Sequence, residues 1–392
     1  MEGDFIKINE WLLPLSWLYG LGVRFRNFLF DVGILKSHSF AVPVISVGNI
    51  TVGGTGKTPH IEYLVRLLQQ EGRVAVLSRG YKRKTRGFVV ADDHSTARDI
   101  GDEPLQMKRK FPEATVAVDA KRVRGINRLT ADDPQLDAIL LDDAFQHRYV
   151  KPGINILLVD YHRLIIYDRL LPAGRLREPL RGKNRADVVI ITKCPRNLMP
   201  MEFRMLTKAI DLYPYQQLFF STIDYEPLRP LFPQDNNIGT RELSTLTADE
   251  HVLLLSGIAS PRQLQEDLAP LTSHLHPLTF PDHHNFRRKD VERINREFAA
   301  LPAPKCIVTT EKDAQRISAT EGLSDEVRQS LYVLPLRITF MLDHEEKFND
   351  KIIGYVRKNS RNSILVKAKD DNKSQDSHRT GNRSGTISFR NY

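Results

Sequence analysis

The residues with the plainest chemical potential lie together at Thr51, Val52, Gly53, Gly54, Thr55, Gly56, Lys57 and Thr58. Three glycines let a backbone wrap around an anion with successive N–H groups turned inward. A helix starting at Lys57 would add the partial positive charge of its N-terminus. The lysine would then reach the β- and γ-phosphates of a nucleotide, and the Thr58 hydroxyl would bind Mg²⁺. A second acidic feature matches the first. The apolar run Ala138-Ile-Leu-Leu ends in Asp142-Asp143, 85 residues past Lys57. A carboxylate at a strand end facing such a loop holds Mg²⁺, usually through water. Either aspartate suits that role. The loop departs from the usual pattern at Thr51, where a glycine is expected.

These groups need a scaffold that presents strand ends. Val42 to Val47 is a short apolar run that reads as a buried strand, and a helical pattern covers about 60–70. A glycine hairpin ending by chance in Gly-Lys-Thr would lack that strand and helix. Further strands read at 73–78, 87–91, 115–118, 138–142, 154–159 and 187–192, with helices at about 102–111 and 121–129 between them. The alternation predicts an α/β fold built on a doubly wound parallel sheet, a P-loop unit over 37–225. Arg79-Gly80-Tyr81 falls at a strand's carboxyl end, where ligands bind in such sheets. Asp102 and Glu103 open a helix, where acids commonly complement the helix dipole. The basic loop around Arg175, Arg177 and Arg181 suits either phosphate or plain solvation.

Residues 226–250, rich in Pro, Asn, Asp and Thr, read as a linker. A smaller α/β unit follows over 251–365, with strands at 252–256, 274–280, 305–310 and 331–336 and helices at 261–269, 289–300 and 344–358. Asp282, His283 and His284 sit at a strand end, a placement open to chemistry or to structure. The polar stretch 366–392 reads as a disordered tail.

The N-terminal stretch 1–36 carries an unusually apolar segment over 11–35. Ser16, Gly20, Arg24, Asn27 and Asp31 fall on one narrow helical stripe, and the rest is dominated by Trp, Leu and Phe. Arg24, Arg26 and Asp31 argue against a bilayer crossing. An amphipathic helix lying in the membrane interface fits, and so does a helix packed on the protein's own core. No basic, apolar leader is visible at Met1–Glu10, which points to the cytosolic side. The chain of 392 residues has a formal charge of +9, suited to an anionic partner. Its two cysteines, Cys194 and Cys306, read as reduced thiols.

Taken together, the ordered motifs resemble the lipid A 4′-kinases, also called tetraacyldisaccharide 4′-kinases. The likeness rests on Gly48 through Pro59, Arg79-Gly80-Tyr81, Gly101-Asp102-Glu103-Pro104, Asp142 through His147, Gly174 through Pro179, Asp282-His283-His284 and Thr310-Glu311-Lys312-Asp313. One departure is Ala144, where the family usually has Gly. The resemblance implies transfer of the γ-phosphoryl group of ATP, with Mg²⁺, to the 4′-hydroxyl of a lipid A disaccharide 1-phosphate precursor. It implies a site on the cytoplasmic face of an inner membrane, held there by the N-terminal helix. It also implies Asp102 as general base paired with His283, beside Lys57. Tyr81, Gln146, Arg177, Glu178 and Asn184 are the candidates for ordering phosphates and sugar.

Two other classes are weighed against this one. A membrane-associated P-loop ATPase acting as a partner-binding switch would carry a second lysine early in the loop, where Thr51-Val52 stand. A guanine-nucleotide switch would need an Asp that Thr192-Lys193-Cys194-Pro195 lacks. A nucleic-acid binder would gather its basic residues, which are scattered here. Neither a nucleic-acid partner nor an obligate protein partner is expected.

Overall fold

The computed structural model describes residues 8–236, 239–258, 261–282, 284–318 and 320–359. Two sheets organise it. The strands are β1 (Val44–Gly48), β2 (Val74–Ser78), β3 (Val89–Val90), β4 (Thr115–Val118), β5 (Ala138–Asp142), β6 (Ile154–Asp160), β7 (Val188–Thr192), β8 (Gln217–Tyr225), β9 (Arg229–Pro230), β10 (His251–Ser256), β11 (His274–Thr279), β12 (Lys305–Thr310), β13 (Leu331–Leu334) and β14 (Leu336–Phe340).

The larger sheet has nine strands in the order β14-β8-β7-β6-β1-β5-β2-β4-β3. Its interior pairs are parallel, and the edge strands β14 and β3 run antiparallel to their neighbours. Strands β1, β2, β5 and β7 are buried along their whole length, as continuous apolar runs covered on both faces must be. The helix Lys57–Gln69 turns Ile61, Leu64, Val65 and Leu68 onto the sheet at helical spacing. Chain order reverses around β1, which lies between β5 and β6, so a crevice opens at the carboxyl ends of these three strands.

The smaller sheet runs β11-β10-β12-β13-β9. Its β10, β11, β12 and β13 are parallel, and β9 closes the edge antiparallel to β13. The helix Arg288–Ala299 packs Val291, Ile294 and Phe298 on one face of this sheet.

Three sequence expectations change here. The stretch 226–250 is not a bare linker: Arg229–Pro230 pairs with β13, and Leu228 and Leu246 are buried in the smaller lobe's core. The single strand expected at 331–336 is two strands, β13 and β14, parted at Pro335 and assigned to different sheets. Proline has no N–H to give a ladder, so it suits the corner between them. Residues 336–359 therefore belong with the larger lobe and not with the second unit. β14 pairs with β8, and the helix at 345–359 buries Phe348, Ile352 and Val356 against Ile338, Phe340 and Phe219 of the larger lobe. The tail at 366–392 lies outside the described residues.

The helix Leu13–Asp31 is present, and of the stripe seen in the sequence Ser16 and Gly20 are buried, Asn27 is half-buried, and Arg24 and Asp31 are exposed. Ser16 and Gly20 face the protein, while Trp11, Leu15, Trp17, Leu18, Leu21, Phe25 and Phe28 are exposed. The Ser16 hydroxyl donates to the Leu170 carbonyl at 3.0 Å and accepts the Ala173 N–H at 2.9 Å. At Gly20 even one added carbon would meet Leu170 at 2.7 Å. Arg148 closes the far end on the Asn27 carbonyl and the Asp31 carboxylate. No helix among the described residues is long and apolar enough to cross a membrane.

The return of the chain to the first lobe gives a stability test. A Cβ on Gly153 would lie 2.0 Å from the Tyr355 hydroxyl, which accepts the Val44 N–H at 3.2 Å. Gly153→Ala is expected to cost about 1–3 kcal/mol in chemical denaturation, the usual range for overpacking. An unchanged midpoint would show that the 345–359 helix does not dock as described.

Candidate functional site

The carboxyl ends of both sheets face one cleft of about 1140 Å³. Val52 through Thr58 line it from the larger lobe, with Ser78, Arg79, Tyr81, Asp102, Glu103, Asp142, Asp143, Gln146, Arg177 and Glu178. Asp282, Thr310, Glu311 and Lys312 line it from the smaller lobe.

The glycine loop takes the form its sequence suggests. Gly53 and Gly56 have φ of 126° and 80°, left-handed conformations that glycine adopts without penalty. Thr51 does not reach the cleft. It is buried behind the loop, in an antiparallel bridge with Leu176. That bridge belongs to a wider seam: Val52 N–H donates to Arg175 O at 2.8 Å and Arg177 N–H to Ile50 O at 2.7 Å. The basic loop is thereby stitched to the phosphate loop. Its Arg177 approaches Asp143 at 3.3 Å, while Lys57 approaches the same carboxylate at 3.7 Å.

Asp142 and Asp143 have opposite surroundings. Asp142 is buried at the end of β5, level with Val47 of β1. Burial raises its pKa, the charges of Glu103 and Asp143 add to that, and Lys57 opposes, leaving it at about 7. One oxygen accepts the Ser78 hydroxyl at 3.1 Å, and the other is buried with no partner. Burial also pushes Asp143 up, but Lys57 and Arg177 outweigh it and hold the carboxyl below its usual range. The turn needs a left-handed residue, and Asp143 supplies it at φ 47°. Ala144 is not in that region, so alanine costs nothing there.

The other expected residues divide. The Asp102 carboxylate accepts from Arg316 of the smaller lobe at 2.6 Å. Tyr81 is exposed on the cleft wall. Gln146 donates to the Asn49 carbonyl behind the loop, and its own carbonyl accepts from Arg26 of the N-terminal helix. Glu178 is buried against Arg185 at 2.8 Å, which makes it a brace for the 180–185 turn. Asn184 is not among the cleft-lining residues, and its carbonyl accepts the Tyr215 hydroxyl at 2.7 Å. His283 lies outside the described residues. His284 instead reaches Asp290 at 3.0 Å.

Sequence reasoning missed several contributors. Glu103 was explicable as a helix-dipole acid, yet its charge acts on Asp142. Ser78 closes a strand as any serine might. Lys193, read only against a guanine motif, bonds the Gly54 carbonyl and pairs with Asp160 at 2.7 Å. Arg316 sits three residues past the Thr310–Asp313 motif, on the same helix but outside the residues that carry the resemblance.

The lobes meet where the helix Asp102–Lys110 faces the helix Glu311–Ile317. Lys110 bridges Glu62 at 2.6 Å and Glu311 at 2.7 Å. Burial, then the charge of Glu311, raises Glu62 to about 7 against the counter-pull of Lys110.

Residues 8–357 match a family described as tetraacyldisaccharide-1-P 4′-kinase, LpxK. A tetraacyldisaccharide 4′-kinase of Phocaeicola vulgatus is 56% identical over 93% of this chain and 99% of its own length. One of Bacteroides thetaiotaomicron is 53% identical over 93% and 97%. Among solved structures, an "apo" form LpxK from Aquifex aeolicus in complex with ATP superposes with a TM-score of 0.66. It is 29% identical over 88% of this chain and 98% of its own.

The Glu62 environment sets a pH test. Folded Glu62 keeps its proton to about 7, whereas the unfolded group loses it near 4.5. Its contribution to stability is therefore complete below 4.5 and drains away as pH rises through about 7. The Tm of the unaltered protein minus that of Glu62→Gln should fall across this window. A difference independent of pH would refute the assignment.

Proposed function

The chain belongs to the tetraacyldisaccharide-1-P 4′-kinase family, and from that premise we propose how its cleft performs the phosphoryl transfer. The enzyme is an ATP-dependent kinase that phosphorylates the 4′-hydroxyl of a tetraacyldisaccharide 1-phosphate, a step of lipid A biosynthesis. The observation that carries the site assignment is Lys57, at the end of a glycine loop, placed over the Asp142–Asp143 pair.

Phosphoryl transfer is mostly positioning and charge stabilisation. The amides of Val52 through Thr58 and the Lys57 ammonium hold the β- and γ-phosphates. Arg177, tied by its own backbone to Ile50, adds a second cation at the same place. The donor set suits Mg²⁺. Asp142 presents a buried oxygen without a protein partner, and Thr58, Asp143 and Glu103 offer further oxygens around the same cleft. Among the described residues no three His, Cys, Asp or Glu side chains are arranged to hold a metal by themselves. Mg²⁺ fits that condition, because it binds through one or two carboxylates plus phosphate and water. When bound it supplies charge neutralisation between the phosphate oxygens.

A sugar hydroxyl is a weak nucleophile at neutral pH, so a carboxylate that takes its proton speeds attack. Asp102 takes that role: it lines the cleft at a helix start, and Arg316 orients it from the opposite lobe. His283 is carried only by the family resemblance. Tyr81 and Gln146 line the wall where the acceptor sugar would lie.

The acceptor's acyl chains stay in a bilayer, so the cleft must come to them. The exposed Trp, Leu and Phe face of the N-terminal helix suits the membrane interface on its cytoplasmic side. The same helix reaches the site directly, since the Tyr19 hydroxyl donates to the Arg177 carbonyl at 2.8 Å. The helix buries Ser16, Gly20 and Phe30 and leaves most of its large apolar residues outward, which supports the interfacial reading.

Two outcomes are expected. Asp102→Ala should retain nucleotide affinity and lose transfer to tetraacyldisaccharide 1-phosphate by about a hundredfold or more, the low end for removal of a general base. Unchanged transfer would remove Asp102 from the role. Trp17→Glu with Leu18→Glu should abolish co-sedimentation with vesicles containing anionic lipid while sparing transfer to detergent-dispersed acceptor. Full retention on vesicles would exclude this helix as the anchor.

A further inference from the structure

A phosphate loop works because its amides point at the anion. Each amide belongs to a planar trans peptide whose carbonyl points the opposite way. Fixing a carbonyl on the outside of the loop therefore aims the next residue's N–H inside. In this chain three successive carbonyls of the loop are fixed in that manner. The Gly54 carbonyl accepts from Lys193, the Thr55 carbonyl from the Thr192 hydroxyl at 3.0 Å, and the Gly56 carbonyl from His60 Nδ1 at 2.7 Å. The amides so aimed are those of Thr55, Gly56 and Lys57.

His60 is the decisive member. It is buried on the first turn of the helix that follows the loop. A carbonyl can only accept, so Nδ1 must carry the hydrogen. Nε2 lies 3.0 Å from the Ser221 hydroxyl of β8. Both ring nitrogens are thus used, and the ring is held between the loop and the sheet. Gly56 is the residue most in need of such a fix. Apart from His60 Nδ1, its carbonyl accepts the long 3.4 Å bond from the His60 N–H, and its peptide carries the amide of Lys57.

We propose that His60 is a positioning residue for ATP: through its Nδ1–H it holds the Gly56–Lys57 peptide so that the Lys57 amide meets the phosphates. The proposal rests on the kinase reading above. It does not place His60 in contact with ATP.

Three substitutions separate this from a merely structural role. Asn places its amide nitrogen where Nδ1 stands and keeps the bond to Gly56. Gln reaches only the Nε2 position and keeps the contact with Ser221. Ala keeps neither. The KM for ATP should rise about tenfold in His60→Gln and His60→Ala, which is the worth of roughly one hydrogen bond. In His60→Asn it should stay within about threefold, and the KM for the lipid acceptor should stay near the unaltered value in all three. The rise in Tm produced by ATP with Mg²⁺ should shrink in the same order and reads affinity without turnover. His60→Asn failing while His60→Gln succeeds would overturn the proposal, as would equal behaviour of the two. If the unaltered protein shows no Tm rise with ATP, the kinase reading itself fails, a result distinct from either.

Discussion

A carboxylate buried at the end of a parallel sheet, beside two more of its own kind, is the constraint on which this molecule turns. Asp142 is shut away from water, with Asp143 and Glu103 adding to its discomfort. The backbone alone cannot relieve that crowding; cations must. Lys57 and Arg177 supply part of the relief, and Arg122, itself buried, donates to the Asp142 carbonyl at 3.1 Å. The deficit that remains at Asp142 is the ground on which we propose Mg²⁺ for this cleft.

The supports of this cluster come from distant parts of the chain, and that governs what could be read from sequence. The glycine loop, its strand and its helix are contiguous, so residue type and spacing sufficed. Asp142 was legible because an apolar strand leads straight to it. The division of roles between Asp142 and Asp143 was not. It depends on Arg177 arriving through a backbone seam that has no sequence signature. Asn184 misled for the converse reason: it lies close in sequence to basic residues of the site, yet the turn carries it away. His60 looked like one more helical residue, and only its two neighbours in space reveal its use.

The fold was legible wherever local pattern decided it and lost where pairing was non-local. Residues 331–336 read as one strand, and nothing in their periodicity says that Pro335 hands the chain from one sheet to the other. The N-terminal helix shows a different limit. Its stripe of Ser16, Gly20, Arg24, Asn27 and Asp31 was visible, but which of these turn inward depended on Leu170, Ala173 and Arg148, all far along the chain.

The corner at Pro335 has one more consequence. Tyr225 and Leu336, where the chain leaves the larger sheet and where it comes back, are register partners on adjacent strands, and Glu226 N–H donates to the Pro335 carbonyl at 2.9 Å. The smaller lobe is thus an insertion grown from the tip of a β-hairpin, with its entrance and exit buttoned together. The inserted lobe therefore hangs from the larger sheet on a single double-stranded stem, and the Arg316–Asp102 pair is a separate tie between the two lobes.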